Sequence, residues 1–127
     1  MKNLKKIISV TAAAAMVMST VAPVSVFADD ATFKIGGIGP VTGAAAIYGQ
    51  AVKNATELAI NEVNEDGGIN GYQVEFQFED DENDAEKSLN AYNALKDWGM
   101  NILVGTVTST PCVAVANETA ADSMFQL

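Results

Sequence analysis

Four hydroxyl side chains fall within five positions, Thr106, Thr108, Ser109 and Thr110, directly before Pro111. They follow a short apolar run, Ile102 to Val104, and a glycine, Gly105. A turn of that kind, leading into a helix, aims unpaired backbone N–H groups and hydroxyl donors at one point. Such a point suits a small anion such as a carboxylate. Capping the helix needs only one of these hydroxyls. The surplus makes Thr108, Ser109 and Thr110 candidate ligand-binding residues.

Other segments offer weaker chemistry. Gly37 to Gly43 reads GIGPVTG, which loosely suggests a dinucleotide loop. Its spacing is off by one, and Pro40 removes an N–H where a pyrophosphate wants one. It reads better as a loop that delivers Tyr48 to the rim of a cleft. Glu79 to Asp84 reads EDDEND, a crowd of carboxylates that invites calcium. The glycine and the trailing glutamate of a calcium loop are missing, and helix capping with a solvated strand end accounts for the run. No metal and no cofactor is expected.

The chain has no histidine and no arginine. A serine or cysteine nucleophile therefore has no imidazole base, and phosphoryl transfer has no arginine clamp. The chain is not expected to be an enzyme. The one cysteine, Cys112, allows no internal disulfide and is expected as a buried thiol on an apolar helix face.

Seven lysines stand against 16 Asp and Glu, for a net charge of −9. That surface repels nucleic acid and anionic lipid. Three of the lysines, Lys2, Lys5 and Lys6, precede the uncharged, Ala- and Val-rich run from Ile7 to Val26. Val26-Phe27-Ala28 offers a cleavage site before Asp29-Asp30. Residues 1–28 thus read as a secretory signal peptide, and the protein as exported. An uncleaved anchor is the alternative, against which Ser9, Thr11, Ser19, Thr20 and Pro23 interrupt the run.

These candidate residues need a scaffold, and residues 29–127 alternate strand and helix. Phe33 to Ile38 reads as a strand. Tyr48 to Glu65 reads as a helix with an apolar stripe at Ala51, Ala55, Leu58, Ala59 and Val63, closed by Asp66-Gly67-Gly68. Tyr72 to Glu79 alternates, with Tyr72, Val74, Phe76 and Phe78 on one face, as in a strand near a sheet edge. Asn83 and Glu86 form a capping box for a helix bearing Ala85, Leu89, Tyr92 and Leu95, which Trp98-Gly99 stops. Ile102 to Val104 has the wholly apolar look of a central parallel strand. Pro111 to Ala121 reads as a third helix, with Val113, Ala116 and Ala120 buried. Met124 to Leu127 begins another strand with no turn after it, so the chain is expected to be an N-terminal fragment.

The order β-α-β-α-β-α-β predicts an α/β fold, a parallel sheet with helices on both faces. Ligands of such sheets bind beyond the carboxyl ends of the strands. The loops Gly39–Ile47 and Thr106–Thr110 both lie there.

Residues 32–127 closely resemble the start of branched-chain amino-acid-binding proteins, the extracytoplasmic receptors of ABC importers in the type I periplasmic binding protein class. The P-x-T-G before the first helix, G-G-I-N-G-Y after it, and G-T-V-T-S carry the resemblance. It implies a flavodoxin-like first lobe of a two-lobe clamshell, here incomplete at its C-terminus, with residues 29–127 as the N-terminal part of lobe 1. It implies that Ser109 holds the ligand carboxylate and that Tyr48 lines the cleft. It also implies an amino-acid ligand, branched-chain or similar, and the importer's membrane subunits as partners.

The sequence departs from the family pattern in two ways. Well-known members carry a cysteine pair bridging the regions of Asn83 and Thr108, which this chain lacks. The second lobe and the later binding loops are also absent, so this chain is not expected to trap ligand alone. Three competing functions are the same fold binding an amide, short carboxylate or aromatic acid, an exported flavodoxin-like enzyme, and a structural or sensory ectodomain.

Overall fold

The structure, a computed structural model, describes residues 32–127. The signal peptide expected over residues 1–28 lies outside the described residues. Seven elements alternate: β1 (Phe33–Gly39), α1 (Ala46–Glu65), β2 (Val74–Asp80), α2 (Ala85–Trp98), β3 (Ile102–Gly105), α3 (Ser109–Asp122) and β4 (Phe125–Gln126). The four strands form one parallel sheet in the order β2-β1-β3-β4. The α/β architecture expected from the element order is the one observed.

The chain steps from β1 outward to β2, then crosses back over β1 to β3 and on to β4. Right-handed crossovers in opposite directions place helices on opposite faces. Side-chain contacts agree. Ile35 of β1 and Val104 of β3 share a groove with α1. Gly36, one residue on, backs onto Leu95 and Met100 on the other face. There α2 and α3 pack together, and Ile38, Ala91, Tyr92, Leu95, Met100, Leu103 and Val115 form the core. Each fully buried large apolar chain contributes about 1.5–3 kcal/mol through its removal from water.

Local signals explain most of the boundaries. Gly99, at φ 89°, caps α2, and its N–H donates to Lys96 O. Asp84, rather than Asn83, is the α2 N-cap, because its Oδ1 accepts from the N–H of Glu86 and Lys87 at 3.0 and 2.9 Å. Tyr92 Oη donates to Asp122 Oδ2 at 2.9 Å, and Lys96 pairs with the same carboxylate, fastening α2 to the end of α3. Burial and this hydrogen bond push the Tyr92 hydroxyl up to about 12.

Several faces differ from expectation. The stripe Ala51, Ala55, Leu58, Ala59 and Val63 is exposed, its members Ala55, Ala59 and Val63 lining an open groove beside the sheet, and α1 packs through Gly49, Val52, Thr56, Ile60 and Asn64. Asn64 fastens α1 to β2: its side chain bonds both backbone groups of Val74, at 2.9 and 2.7 Å. On α3 the buried residues are Pro111, Val115 and Thr119, while Val113, Ala116 and Ala120 face outward. Cys112 is half-buried rather than buried. Tyr72 lies outside β2, in a turn paired with Ile69, and is half exposed. Strand β2 does sit at the sheet edge.

Candidate functional site

The carboxyl edge of β1 and β3 is where the sequence places its ligand loops. Ile38 is in register with Gly105, so the two strands end side by side. Beyond them the chains nearly touch: a Cβ on Gly39 would lie 2.4 Å from Val107 Cγ2. Gly105 itself has φ 112°, and a Cβ there would meet Ile38 O at 2.3 Å. Only glycine lets the third loop turn off so close to the first. This is the topological switch point of the sheet, where the crossover direction reverses.

Helix α3 begins two residues earlier than the sequence suggests, at Ser109, with Thr108 as N-cap. Ser109 and Thr110 thus belong to its first turn, and Pro111, the third residue, is buried. No side chain caps this helix. The Thr108 hydroxyl oxygen is buried and finds no partner among the described residues. Thr106 Oγ1 is occupied, donating to Thr108 O at 3.3 Å. Pro111 has no N–H, so the amides of Ser109 and Thr110 are the free first-turn donors, at the positive end of the helix dipole. Ser109 and Thr110 are exposed. Thr108, Ser109 and Thr110 therefore stand together as a group of unspent donors.

Tyr48 lies elsewhere. It is the third residue of α1, 64% exposed, on the helix that covers the opposite face of the sheet from α3. Because the strands are parallel, both helices start at the same carboxyl edge, on either side of the switch point. No hydrogen bond joins Tyr48 to the Thr108–Thr110 group among the described residues.

The acidic run proves to be a fastening. Asp80 Oδ1 accepts from the N–H of Val41 and Glu82, each at 2.9 Å, and its Oδ2 accepts from Thr42 Oγ1 at 2.6 Å. These bonds hold the loop between β1 and α1, to which Gln50 Nε2 adds a bond to Val41 O at 3.0 Å. Burial pushes the Asp80 carboxyl up, but the Thr42 hydroxyl and the amides outweigh it, and the group sits below the usual range. Asp81 is fully buried, and burial, aided by the charges of Asp80 and Asp84, holds its carboxyl above the usual range. Its Oδ1 accepts from Asn83 N at 2.9 Å, while Oδ2 finds no partner among the described residues. The run differs from the capped, solvated strand end that its composition implies. The signal available was the placement of consecutive acids where β2 ends, level with Gly39 and its loop. No cluster able to hold a metal ion occurs among the described residues.

A groove of about 380 Å³ lies on the α1 side, lined by Ile35, Ala59, Ile60, Val63, Val104 and Leu127 among others. Its walls are apolar and offer nothing to a charged amino group or carboxylate. It is an uncovered apolar surface, distinct from the donor group at α3.

The periplasmic binding protein family matches residues 32–124. A Leu/Ile/Val-binding protein homologue from Brucella melitensis is 35% identical over 125 residues, 98% of this chain and 32% of that protein. A leucine-, isoleucine-, valine-, threonine- and alanine-binding protein from Pseudomonas aeruginosa is 37% identical over 97 residues, 76% of this chain and 26% of its own length. Among solved structures, the branched-chain amino acid transporter substrate-binding protein LivJ from Streptococcus pneumoniae, in complex with isoleucine, superposes with a TM-score of 0.72. It is 27% identical, over 76% of this chain and 28% of that one.

The chain belongs to the periplasmic binding protein family, whose members are solute-binding proteins rather than enzymes. Its similarity runs to the branched-chain amino-acid-binding proteins of ABC transporters. The chain spans about a quarter to a third of the length of these curated relatives.

Proposed function

We propose that this chain contributes the first part of the carboxylate-binding lobe of an extracytoplasmic receptor. That receptor takes a branched-chain or similar amino acid and delivers it to the membrane subunits of an ABC importer. The observation that carries the reading is the unspent donor group at the start of α3. A hydroxyl on Ser109 and the amides of Ser109 and Thr110 suit a carboxylate, and charge-assisted bonds of this kind are about twice as strong as neutral ones. Thr108 supplies a further hydroxyl from the N-cap. Tyr48, at the start of α1, lines the rim across the switch point.

In this reading residues 1–28 are a cleaved export signal, residues 29–127 are the N-terminal part of lobe 1, and the protein works outside the cytoplasm. The rest of the relatives' length corresponds to the remainder of the first lobe and a second lobe that closes over the ligand. The names of the relatives, which bind leucine, isoleucine and valine, support the ligand class.

The test is thermal unfolding of the two-lobed protein with millimolar L-leucine, L-isoleucine or L-valine. Ligand that binds only the native state raises the melting temperature by linkage. Ser109→Ala removes most of that rise while leaving the unliganded melting temperature within a few degrees. No rise with any of the three amino acids would overturn the ligand assignment.

A further inference from the structure

Among the described residues, β4 contributes one polar side chain to the region beneath the donor group, and its bonding is specific. Gln126 Nε2 donates to Gly105 O at 2.7 Å. Its Oε1 accepts from Thr119 Oγ1 at 2.9 Å, and Nε2 also lies 3.8 Å from Cys112 Sγ. The carbonyl of Gly105 can only accept, so the amide nitrogen must face it, leaving the oxygen for the Thr119 hydroxyl. One half-buried side chain thus ties the last residue of β3 to α3 at two points. The main chain adds a second tie, since Gly105 N donates to Leu127 O at 2.9 Å. Gly105 is the residue at which the chain leaves the sheet for Thr106–Thr110. Glycine populates positive and negative φ about equally, so the bond from Gln126 to its carbonyl helps fix the turn that aims the loop.

We infer that Gln126 is a positioning residue: it holds the Gly105 carbonyl and α3 in one register and so sets where the Ser109 and Thr110 donors point. This rests on the functional reading above for its consequence in binding, but not for its structural content. A position on a short strand next to an apolar core would ordinarily carry an apolar side chain. A half-buried amide is retained there at the cost of partial desolvation, which its bonds to Gly105 and Thr119 offset.

The experiment compares wild type with Gln126→Met, Gln126→Glu and Thr119→Val. Methionine matches glutamine in length and removes both bonds, a swap that packed interiors tolerate. Glutamate keeps the acceptor for Thr119 but loses the donor to Gly105. Valine at 119 leaves the donor to Gly105 in place, frees the acceptor end and removes the hydroxyl's alternative bond to Ala116 O at 3.2 Å within α3. Native-state hydrogen exchange reads the amides of Gly105 and Cys112, both hydrogen-bonded in the native protein. Exchange at these two amides is expected to speed up about tenfold in Gln126→Met and Gln126→Glu, the effect of one lost half-buried bond, and to change little in Thr119→Val. Amides of β1 and β2 should keep their wild-type rates. Unchanged exchange at Gly105 and Cys112, or an equal loss of protection across β1 and β2, would overturn the inference.

Affinity for L-leucine in the two-lobed protein provides the second readout. It should weaken about tenfold in Gln126→Met and recover to within about twofold of wild type in Thr119→Val. Full leucine affinity in Gln126→Met would overturn the positioning role. Wild-type protein that binds no leucine would instead strike at the functional reading, and the exchange rates would still decide the inference.

Discussion

Two loops leave the same edge of the same sheet and treat their polar groups in opposite ways. At the end of β2, the Asp80 carboxylate accepts three bonds and Asp84 caps α2 with two more. At the end of β3, the N-cap Thr108 makes no side-chain capping bond, and its hydroxyl oxygen is buried without a partner among the described residues. The first region uses most of its polarity to hold a loop in place, although Asp81 Oδ2 is buried there without a partner among the described residues. The second keeps a cluster of donors unspent at a helix start, where a carboxylate could satisfy them. The richer cluster of charge is scaffold, and the modest cluster of hydroxyls is the site proposed for a carboxylate.

Substitutions can break this contrast, and the largest effect belongs to the junction between the two regions. Gly105→Ala places a Cβ against Ile38 O in a left-handed backbone and should destabilise the fold by about 3 kcal/mol, read as a lowered urea midpoint. Stability near that of wild type would show that the loop's exit geometry is not fixed by the β1 contact. A smaller effect is expected from Asp80→Asn, which weakens the bonds to Val41, Thr42 and Glu82. It should cost about 1 kcal/mol at neutral pH, given how open the site is to solvent.

Acid sharpens the comparison further, because Asp80 and its neighbour titrate in opposite senses. The folded Asp80 carboxyl lies below its unfolded value, so its contribution is present above the ordinary carboxylate range of about 4 and is lost as pH falls through the lower folded value. The folded Asp81 carboxyl lies above its unfolded value. Its favourable contribution is full only below about 4 and is lost as pH rises through the folded value. Asp81→Asn, which keeps an acceptor for Asn83 N and removes a buried charge, should therefore raise the melting temperature slightly at pH 7 and lose that advantage in acid. Melting curves of both variants between pH 3 and 7 should diverge in opposite directions from wild type toward neutral pH. Parallel curves would refute the assignment of roles to the two carboxylates.

The sequence made the sheet and its order of elements readable because strands and helices announce themselves by period and by punctuation. Gly99 and the pair Gly67-Gly68 end helices where expected, and Ile102 to Val104 is the inner strand its composition implies. Helix faces were less readable. The buried side of α1 includes Gly49, Thr56 and Asn64, chosen for close approach and for bonds to the Val74 backbone. A count of apolar side chains finds Leu58 and Val63 instead, and these lie exposed. On α3, Thr119 is buried because Gln126 satisfies it, a partnership across seven residues that no periodicity encodes.

The candidate site was legible in its residue types but not in its bonding. Thr106, Thr108, Ser109 and Thr110 stood out by density alone. Which of them is spent, and that none caps α3, depends on loop geometry beyond Gly105. The role of Asp80 is not legible in the sequence because its partners, Val41 and Thr42, lie far away in sequence and come near only through the parallel pairing of β1 with β2.

The central claim is that the start of α3 grips a carboxylate. Amide chemical shifts of the two-lobed protein, titrated in parallel with L-leucine and with L-leucinamide, test it most directly, because the amide keeps the side chain and amino group and removes the negative charge. The account predicts large shifts at Ser109 and Thr110 with leucine and little or none with leucinamide. Equal shifts with both, or shifts confined to the apolar groove beside α1, would contradict it.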